Sequence, residues 1–516
     1  MILFLLNSKN TSARLLWNYQ FLNMKHAIDH PIMFVGTGSD VGKSVINAAF
    51  CRIFKQDGYA PAPFKAQNMS LNSYATDEGL EIGRAQQVQA EACKISSCSD
   101  MNPVLLKPSS YQNAQVVLNG KPAGNQSASE YFSAEGRDEL FNHVLKSYKA
   151  LAKQYAPIVV EGAGSISELN LRDRDITNMR VAMNTNADTY LIADIDRGGI
   201  FGSVYGTIQL LSPEERALIK GIVINKFRGD PGLFEDGKKQ LEQLTGVPVV
   251  SVLPYFKDIA IEQEDSVVIE QKEGSAAKGE VNIAVVLLRH MSNFTDFNVL
   301  ERTPGVHLYY VANPADIEDA DIVIIPGSKN TISDMQHLRK RGLAKAILQH
   351  HEKGKAVYGI CGGYQMMGRM ISDPAQVEGD IPSVPGLGLL PVTTNLSPEK
   401  TTEQCTFSFF NMEENCKGYE IHMGETQRKG GEALCTIHGK YDDGCYVDNK
   451  TWGTYIHGIF DNSCVVSEIL GENGALQYSA DFNYEAFKQE QYDKLADLVR
   501  QHTNMNYIYK KLKTKL

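Results

Sequence analysis

Two short runs of residues, far apart in the chain, carry side chains able to do chemistry. Residues 34–44 read Phe-Val-Gly-Thr-Gly-Ser-Asp-Val-Gly-Lys-Ser. A Gly-Lys-Ser that follows a strand and opens a helix is the setting of a phosphate-cradling loop. The first N–H groups of the helix point at phosphate oxygens, and the helix dipole favours the anion. Lys43 is expected to reach the terminal phosphates of ATP and Ser44 to set its hydroxyl on Mg²⁺, with Gly38, Asp40 and Gly42 in the cradle. The second run is Gly359-Ile360-Cys361-Gly362-Gly363. Its glycine spacing is that of a nucleophile elbow with Cys in place of Ser, and a helix start behind it favours the thiolate. One chain holding both suggests phosphoryl activation at one site and nucleophilic chemistry at another.

A nucleophilic thiolate needs a base within hydrogen-bond reach. His457, in Thr454-Tyr455-Ile456-His457-Gly458, is the best candidate because it sits in an apolar strand-like run ended by glycine. Backbone N–H groups of Gly362 and of Gly327, in Ile325-Pro326-Gly327-Ser328, are expected to hold a developing oxyanion. Glu420 and His422 alternate on a strand and face the same side, as candidate site-lining residues.

Around the phosphate loop, Glu161 ends a strand beside Gly162 and Gly164 and offers a second Mg²⁺ contact besides Ser44. Asn225 ends another strand and can present its amide to a purine edge. Phe64-Lys65-Ala66-Gln67-Asn68-Met69-Ser70-Leu71-Asn72-Ser73 packs five amide or hydroxyl side chains behind one lysine. Lys65 can steady a carboxylate or a developing phosphate charge, and Gln67, Asn68, Ser70 and Asn72 can read a polar substrate. The carboxyl ends of parallel strands are where open α/β sheets bind ligands.

The elements that must position these residues are legible as alternating strands and helices. Ile32–Val35, Pro157–Val160, Asp188–Ala193, Gly221–Asn225 and Val247–Val252 are short, β-branched and turn-bounded, as buried parallel strands are. Lys43–Gln56 and Glu81–Lys94 have helical spacing. Acidic and small residues over 258–280 mark a linker. A second α/β run follows, with strands at Val281–Leu288, Asp321–Ile325 and Ala356–Ile360 and a helix over Ser333–His351. The expected division is an extension over 1–30, with Met24 an alternative start, a first domain over 31–257, a second over 281–480, and a helical segment over 481–516 packed on the second domain. The fold class is α/β with two doubly wound open sheets.

The 516-residue chain has a formal net charge of −10, which argues against general nucleic-acid binding. Nine scattered cysteines without Cys-x-x-Cys spacing read as reduced thiols rather than a zinc site or a disulfide framework. No apolar run approaches the ~20 residues that span a bilayer. A cytoplasmic protein is expected; nothing in the sequence fixes its oligomeric state.

The phosphate loop resembles the dethiobiotin synthetase type, Gly-Thr-x-x-x-Val-Gly-Lys-Ser/Thr. Gly38 stands where partitioning ATPases carry an extra lysine. The cysteine elbow and the later histidine resemble a class I glutamine amidotransferase domain, of flavodoxin-like fold, in which the thiolate releases ammonia from glutamine. Such triads usually place Glu two residues after the His; here Ile459 stands there, as in the branch found in cobalamin biosynthesis, and what orients His457 is left open. Together with KAQNMSLNS (65–73), MNPVLLKP (101–108) and GYEIHMG (418–424), these motifs resemble the cobyric acid synthase family from about Pro31 to near the carboxyl end. The resemblance implies ATP- and glutamine-dependent amidation of four peripheral carboxylates of a corrinoid, adenosylcobyrinic acid a,c-diamide. The alternative is a related amidoligase acting on another polycarboxylate, such as cobyrinic acid; its usual Lys-x-Gly-Pro-Asp is absent.

Overall fold

The computed structural model describes Ile28 and residues 30–108, 113–127, 136–262, 274–410, 412, 415–472 and 483–513. The expected extension over 1–30 and the middle of the expected linker therefore lie largely outside the described residues.

Six short, mostly apolar runs form the first sheet: β1 (Ile32–Gly36), β2 (Ala62–Phe64), β3 (Ile158–Glu161), β4 (Asp188–Asp194), β5 (Ile219–Phe227) and β6 (Val249–Pro254). They are parallel, in the order β6-β5-β4-β1-β3-β2. Both faces are buried, so the strands read as unbroken apolar runs rather than alternating ones. Helix α1 (Lys43–Gln56) covers one face through Phe50 and Phe54, and the ring of Phe50 lies 4.6 Å from that of Phe34 on β1. Burying an aromatic of this size contributes about 1.5–3 kcal/mol.

The expected helix over Glu81–Lys94 is shorter than its spacing suggested. Glu81–Gly83 pairs antiparallel with Ser73–Ala75, and helix α2 (Arg84–Cys93) starts only after Gly83.

The second sheet comprises β7 (Val281–Val286), β8 (Val306–Val311), β9 (Ile322–Ile325), β10 (Ala356–Ile360), β13 (Cys445–Asp448) and β14 (Thr451–Thr454), ordered β8-β7-β9-β10-β14-β13. All neighbours are parallel except β13 and β14. Beside it, the long strands β11 (Val392–Phe409) and β12 (Cys416–Arg428) pair antiparallel. The expected helix over Ser333–His351 is two, Thr331–Arg341 and Leu343–Glu352. Gly342 separates them with φ 78°, the left-handed conformation that ends a helix and that glycine takes without strain.

The carboxyl-terminal helices correct an expectation. α4 (Tyr484–Gln501) and α5 (Met505–Lys513) pack mainly on the first domain, not the second. Tyr492, Leu495, Val499, Ile508 and Leu512 share a core with Phe34, Phe50 and Phe54. Arg52 of α1 clamps Asp493 at 2.7 Å. An apolar helical face in the sequence shows that a helix must dock, not on which domain. The start of the expected linker is docked too: Ile261 is buried in the same core, and Glu262 accepts two hydrogen bonds from Arg84, at 2.8 and 3.1 Å.

Candidate active site

The two chemical centres lie in the two domains, and the 65–73 segment joins them. On the first domain a cavity of about 1210 Å³ opens at the carboxyl ends of the strands. The P-loop forms one wall: Asp40, Gly42, Lys43 and Ser44 line it, as does Asn225. Gly42 has φ 97°, a conformation that disfavours side chains, and a Cβ there would lie 2.3 Å from the Asn225 amide nitrogen. Lys43 Nζ donates to the carbonyls of Gly38 and Gly164, both at 2.9 Å, so the lysine is folded back over its own loop.

Glu161 ends β3 as a buried carboxylate. It accepts from Ser44 Oγ at 2.8 Å, Lys65 Nζ at 2.9 Å and Gln89 Nε2 at 2.6 Å. Burial opposes its charge, but the Lys65 ammonium and these hydrogen bonds outweigh that and hold the carboxyl below its usual range. A hydroxyl and an ionised carboxylate 2.8 Å apart beside a phosphate cradle are a donor set that fits Mg²⁺, which keeps water and phosphate oxygens as its remaining ligands. Among the described residues no cluster of three or more His, Cys, Asp or Glu forms an all-protein metal cage.

Asn225, expected to face a purine edge, lines the same cavity. Its Nδ2 donates to the Val41 carbonyl at 2.8 Å, bracing the P-loop from beneath. The polar segment divides in two. Lys65, Gln67 and Asn68 line the cavity. Ser70 and Asn72 do not: Ser70 Oγ bonds the Asn72 backbone, and Asn72 Oδ1 accepts from Phe294 N at 3.0 Å in the second domain. Asn293 returns the link, its Oδ1 accepting from Ser73 N at 3.2 Å and its Nδ2 donating to Tyr419 Oη at 3.2 Å.

Cys361 stands between β10 and α3 (Gly362–Met367), with φ 51° and ψ −108°. Positive φ at a non-glycine residue is the strain expected of a nucleophile elbow. The glycines make it fit: a Cβ on Gly363 would lie 1.9 Å from the Ile325 carbonyl oxygen. Cys361 Sγ donates to the Ile421 carbonyl on β12 at 3.6 Å. Gly327 is brought beside the pair, since a Cβ on it would lie 3.4 Å from His457 Cε1. Gly362, as first residue of α3, has an N–H without an intrahelical acceptor.

His457 is 1% exposed. The residue that orients it is Asp296, which sequence reasoning missed. Asp296 Oδ2 lies 2.7 Å from His457 Nδ1, and Oδ1 accepts from Gly458 N at 3.1 Å. Burial works against the imidazolium, but the Asp296 carboxylate and the neighbouring Cys361 sulfur overcome it and raise His457 to about 10. Tyr419 stacks on the imidazole, ring centroids 5.4 Å apart. Asp296 precedes His457 by 161 residues, on a single 3₁₀ turn (Phe294–Phe297) with no periodicity to mark it. Its one trace in the sequence is an unusually polar Ser292-Asn293-Phe294-Thr295-Asp296 soon after a buried strand.

Glu420 and His422 face the same side of β12, as expected, 3.6 Å apart. His422 stacks on Tyr455 at 3.7 Å, and Tyr441 donates to Glu420. All nine cysteines are free thiols.

Comparison with known proteins agrees with this division. Residues 32–267 match the CobQ/CobB/MinD/ParA nucleotide binding domain, and residues 282–465 match the CobB/CobQ-like glutamine amidotransferase domain. The chain is 59% identical over 489 residues to the cobyric acid synthase of Parabacteroides distasonis, covering 94% of this chain and 99% of that protein. It is 57% identical over 484 residues to that of Phocaeicola vulgatus (93% and 98% covered) and 46% identical over 499 residues to that of Salmonella agona (93% and 97% covered). With both domains matched in order and nearly the whole length shared, the chain belongs to the cobyric acid synthase family.

Proposed function

We propose that this chain amidates four peripheral carboxylates (b, d, e and g) of adenosylcobyrinic acid a,c-diamide, using ATP and glutamine, to give adenosylcobyric acid. The observation that carries this reading is the union of the Cys361–His457–Asp296 site with a P-loop site, joined by one continuous segment over 65–73.

At the first centre, Cys361 Sγ attacks the side-chain carbonyl carbon of glutamine, with the N–H groups of Gly362 and Gly327 facing the oxyanion. His457, held by Asp296, gives its proton to the departing nitrogen. Ammonia leaves, and water then hydrolyses the thioester to glutamate. At the second centre a substrate carboxylate oxygen attacks the γ-phosphorus of ATP and ADP departs, leaving an acyl phosphate. A carboxylate alone would have to expel oxide, whereas phosphate is a workable leaving group. Ammonia attacks the acyl carbon, loses a proton, and inorganic phosphate leaves.

Lys43 neutralises charge on the transferring phosphoryl group, and Lys65 steadies the substrate carboxylate. Mg²⁺ held by Ser44 and Glu161 would offset phosphate charge. Gln67 and Asn68 contact the polar substrate edge. Ammonia passes from Cys361 along the 65–73 segment, sheltered from bulk water where it would be protonated. A cytoplasmic location belongs to this reading. Among the described residues no helix is long and apolar enough to cross a membrane.

The test separates the centres. Cys361→Ala should abolish glutamine-dependent amidation yet retain the ammonia-dependent reaction, whereas Lys43→Ala should lose both. A folded Cys361→Ala variant inactive with ammonia would contradict two separate centres.

A further inference from the structure

The nucleotide cavity is larger than a nucleotide needs. Small-molecule pockets usually enclose about 300–1,000 Å³; this one holds about 1210 Å³. The 3₁₀ turn Leu169–Arg174 and the helix Met179–Thr185 that follows it line part of this cavity. Four large apolar side chains line this cavity while exposed to solvent: Met69 (57%), Leu169 (52%), Leu171 (40%) and Met183 (48%). An exposed apolar residue standing singly needs no explanation; four around one cavity, beside a phosphoryl-transfer centre, mark a binding surface. Met69 also ties the surface to that centre, because it follows Gln67 and Asn68 on the strand that begins just after Lys65.

The rim carries both signs, with Arg172, Arg174 and Arg180 standing among Glu168, Asp173 and Asp175. Arg172 is held by Glu215 and by the Leu210 carbonyl, at 3.1 Å, so its guanidinium is fixed and partly neutralised. Arg174 is exposed and makes no ion pair or hydrogen bond among the described residues. An apolar floor with a guanidinium at its edge complements a broad, apolar macrocycle fringed by carboxylates.

We propose that Met69, Leu169, Leu171 and Met183 form the bed on which the corrin ring rests, with Arg174 reading a peripheral carboxylate, and that this single bed serves all four amidations. The inference rests on the reading of the substrate given above. Apolar side chains make no directional contacts, so the ring can rebind turned, presenting a different carboxylate to Lys65 each time. Arg174 supplies the directional contact, and its flexible stem can meet a carboxylate or an amide oxygen at several positions around the ring.

The test uses the full chain with Leu171→Asn, Arg174→Ala and Arg174→Lys, each checked for thermal unfolding and ATP binding. Corrinoid affinity is read by equilibrium dialysis, and the four successive amidations by mass spectrometry. The expected result is a corrinoid Kd raised about tenfold or more for Leu171→Asn and Arg174→Ala. Arg174→Lys should recover part of the loss. All four steps should slow together at subsaturating corrinoid. Unchanged affinity in both loss variants, or slowing of one step alone, would overturn the single bed. A change in self-association in the ultracentrifuge with unaltered corrinoid affinity would overturn it too, by showing a face for a second copy of the chain. If the unsubstituted protein neither binds nor amidates the corrinoid, the substrate reading fails and the bed with it; unchanged affinity in variants of a protein that does bind it overturns the bed alone.

Discussion

Asn72 Oδ1 accepts the backbone N–H of Phe294 at 3.0 Å, and that N–H opens the turn carrying Asp296. Asp296 in turn holds His457. The segment whose first lysine touches Glu161 in the nucleotide cavity thus reaches, seven residues later, the support of the amidotransferase base. This is a physical route by which occupancy at one centre can bias geometry at the other.

Asn72→Ala removes the acceptor and leaves a buried N–H unsatisfied, at a cost of about 1–3 kcal/mol. Glutamine-dependent amidation should fall about tenfold or more, while the ammonia-dependent reaction falls much less. Equal losses with both nitrogen sources, in steady-state assays, would show that the link serves the fold alone.

Asp296→Asn should lower glutamine hydrolysis by roughly 10²–10⁴-fold, by analogy with the loss of an orienting carboxylate behind a catalytic histidine. The parent's His457 is raised to about 10, so the stability it adds is fully present below its ordinary value near 6.5 and is lost as pH rises through about 10. Without the carboxylate the imidazolium loses its proton at lower pH. The alkaline limb of the pH–rate profile should therefore move down toward neutrality. An unmoved limb would remove Asp296 from the role of orienting the base.

Glu81 is fully buried at the domain boundary, bonded to Lys107 at 2.7 Å and to Lys400 of β11. Burial opposes its charge, but the two lysines hold the carboxyl well below its usual range, so its stabilising share is present above about pH 4.3 and lost on acidification. Burial lowers Lys400 to about 7; Glu81 pulls the other way, while Lys107 and Lys329 add to the lowering. Removing the shared partner leaves buried ammonium groups uncompensated, so Glu81→Gln should destabilise by about 3–5 kcal/mol near pH 7. The gap from the parent should widen between about pH 7 and 5, where Lys400 takes up a proton beside the Glu81 carboxylate but resists it beside the neutral amide of the variant. Adding Lys400→Met should recover part of the loss. Denaturant melts with no gap, or with a gap that narrows on acidification, would contradict this.

Strands, the P-loop and the cysteine elbow were legible because local pattern determines them. Buried parallel strands read as apolar runs, and Gly42 and Gly363 occupy positions where a Cβ would collide. Asp296 was not legible, since its role depends on a tertiary approach across 161 residues and no local rule places a lone aspartate on a short turn. Ile459, two residues after the histidine, is fully buried, and the carboxylate arrives from another element. The docking of α4 and α5 was hidden for a related reason: Leu495 and Val499 show a face, and only the assembled core shows that Phe50 and Phe54 lie beneath it. Ser70 and Asn72 read as substrate contacts because composition marks polarity, not direction.

Mass spectrometry of adenosylcobyrinic acid a,c-diamide incubated with the protein, ATP, Mg²⁺ and glutamine decides whether this chain amidates four carboxylates. The expected result is stepwise loss of about one mass unit per OH-to-NH₂ exchange, ending after four steps, with ATP and glutamine hydrolysed in proportion. Glutamine hydrolysis with no change in corrinoid mass would contradict it, leaving an amidotransferase that serves a different carboxylate.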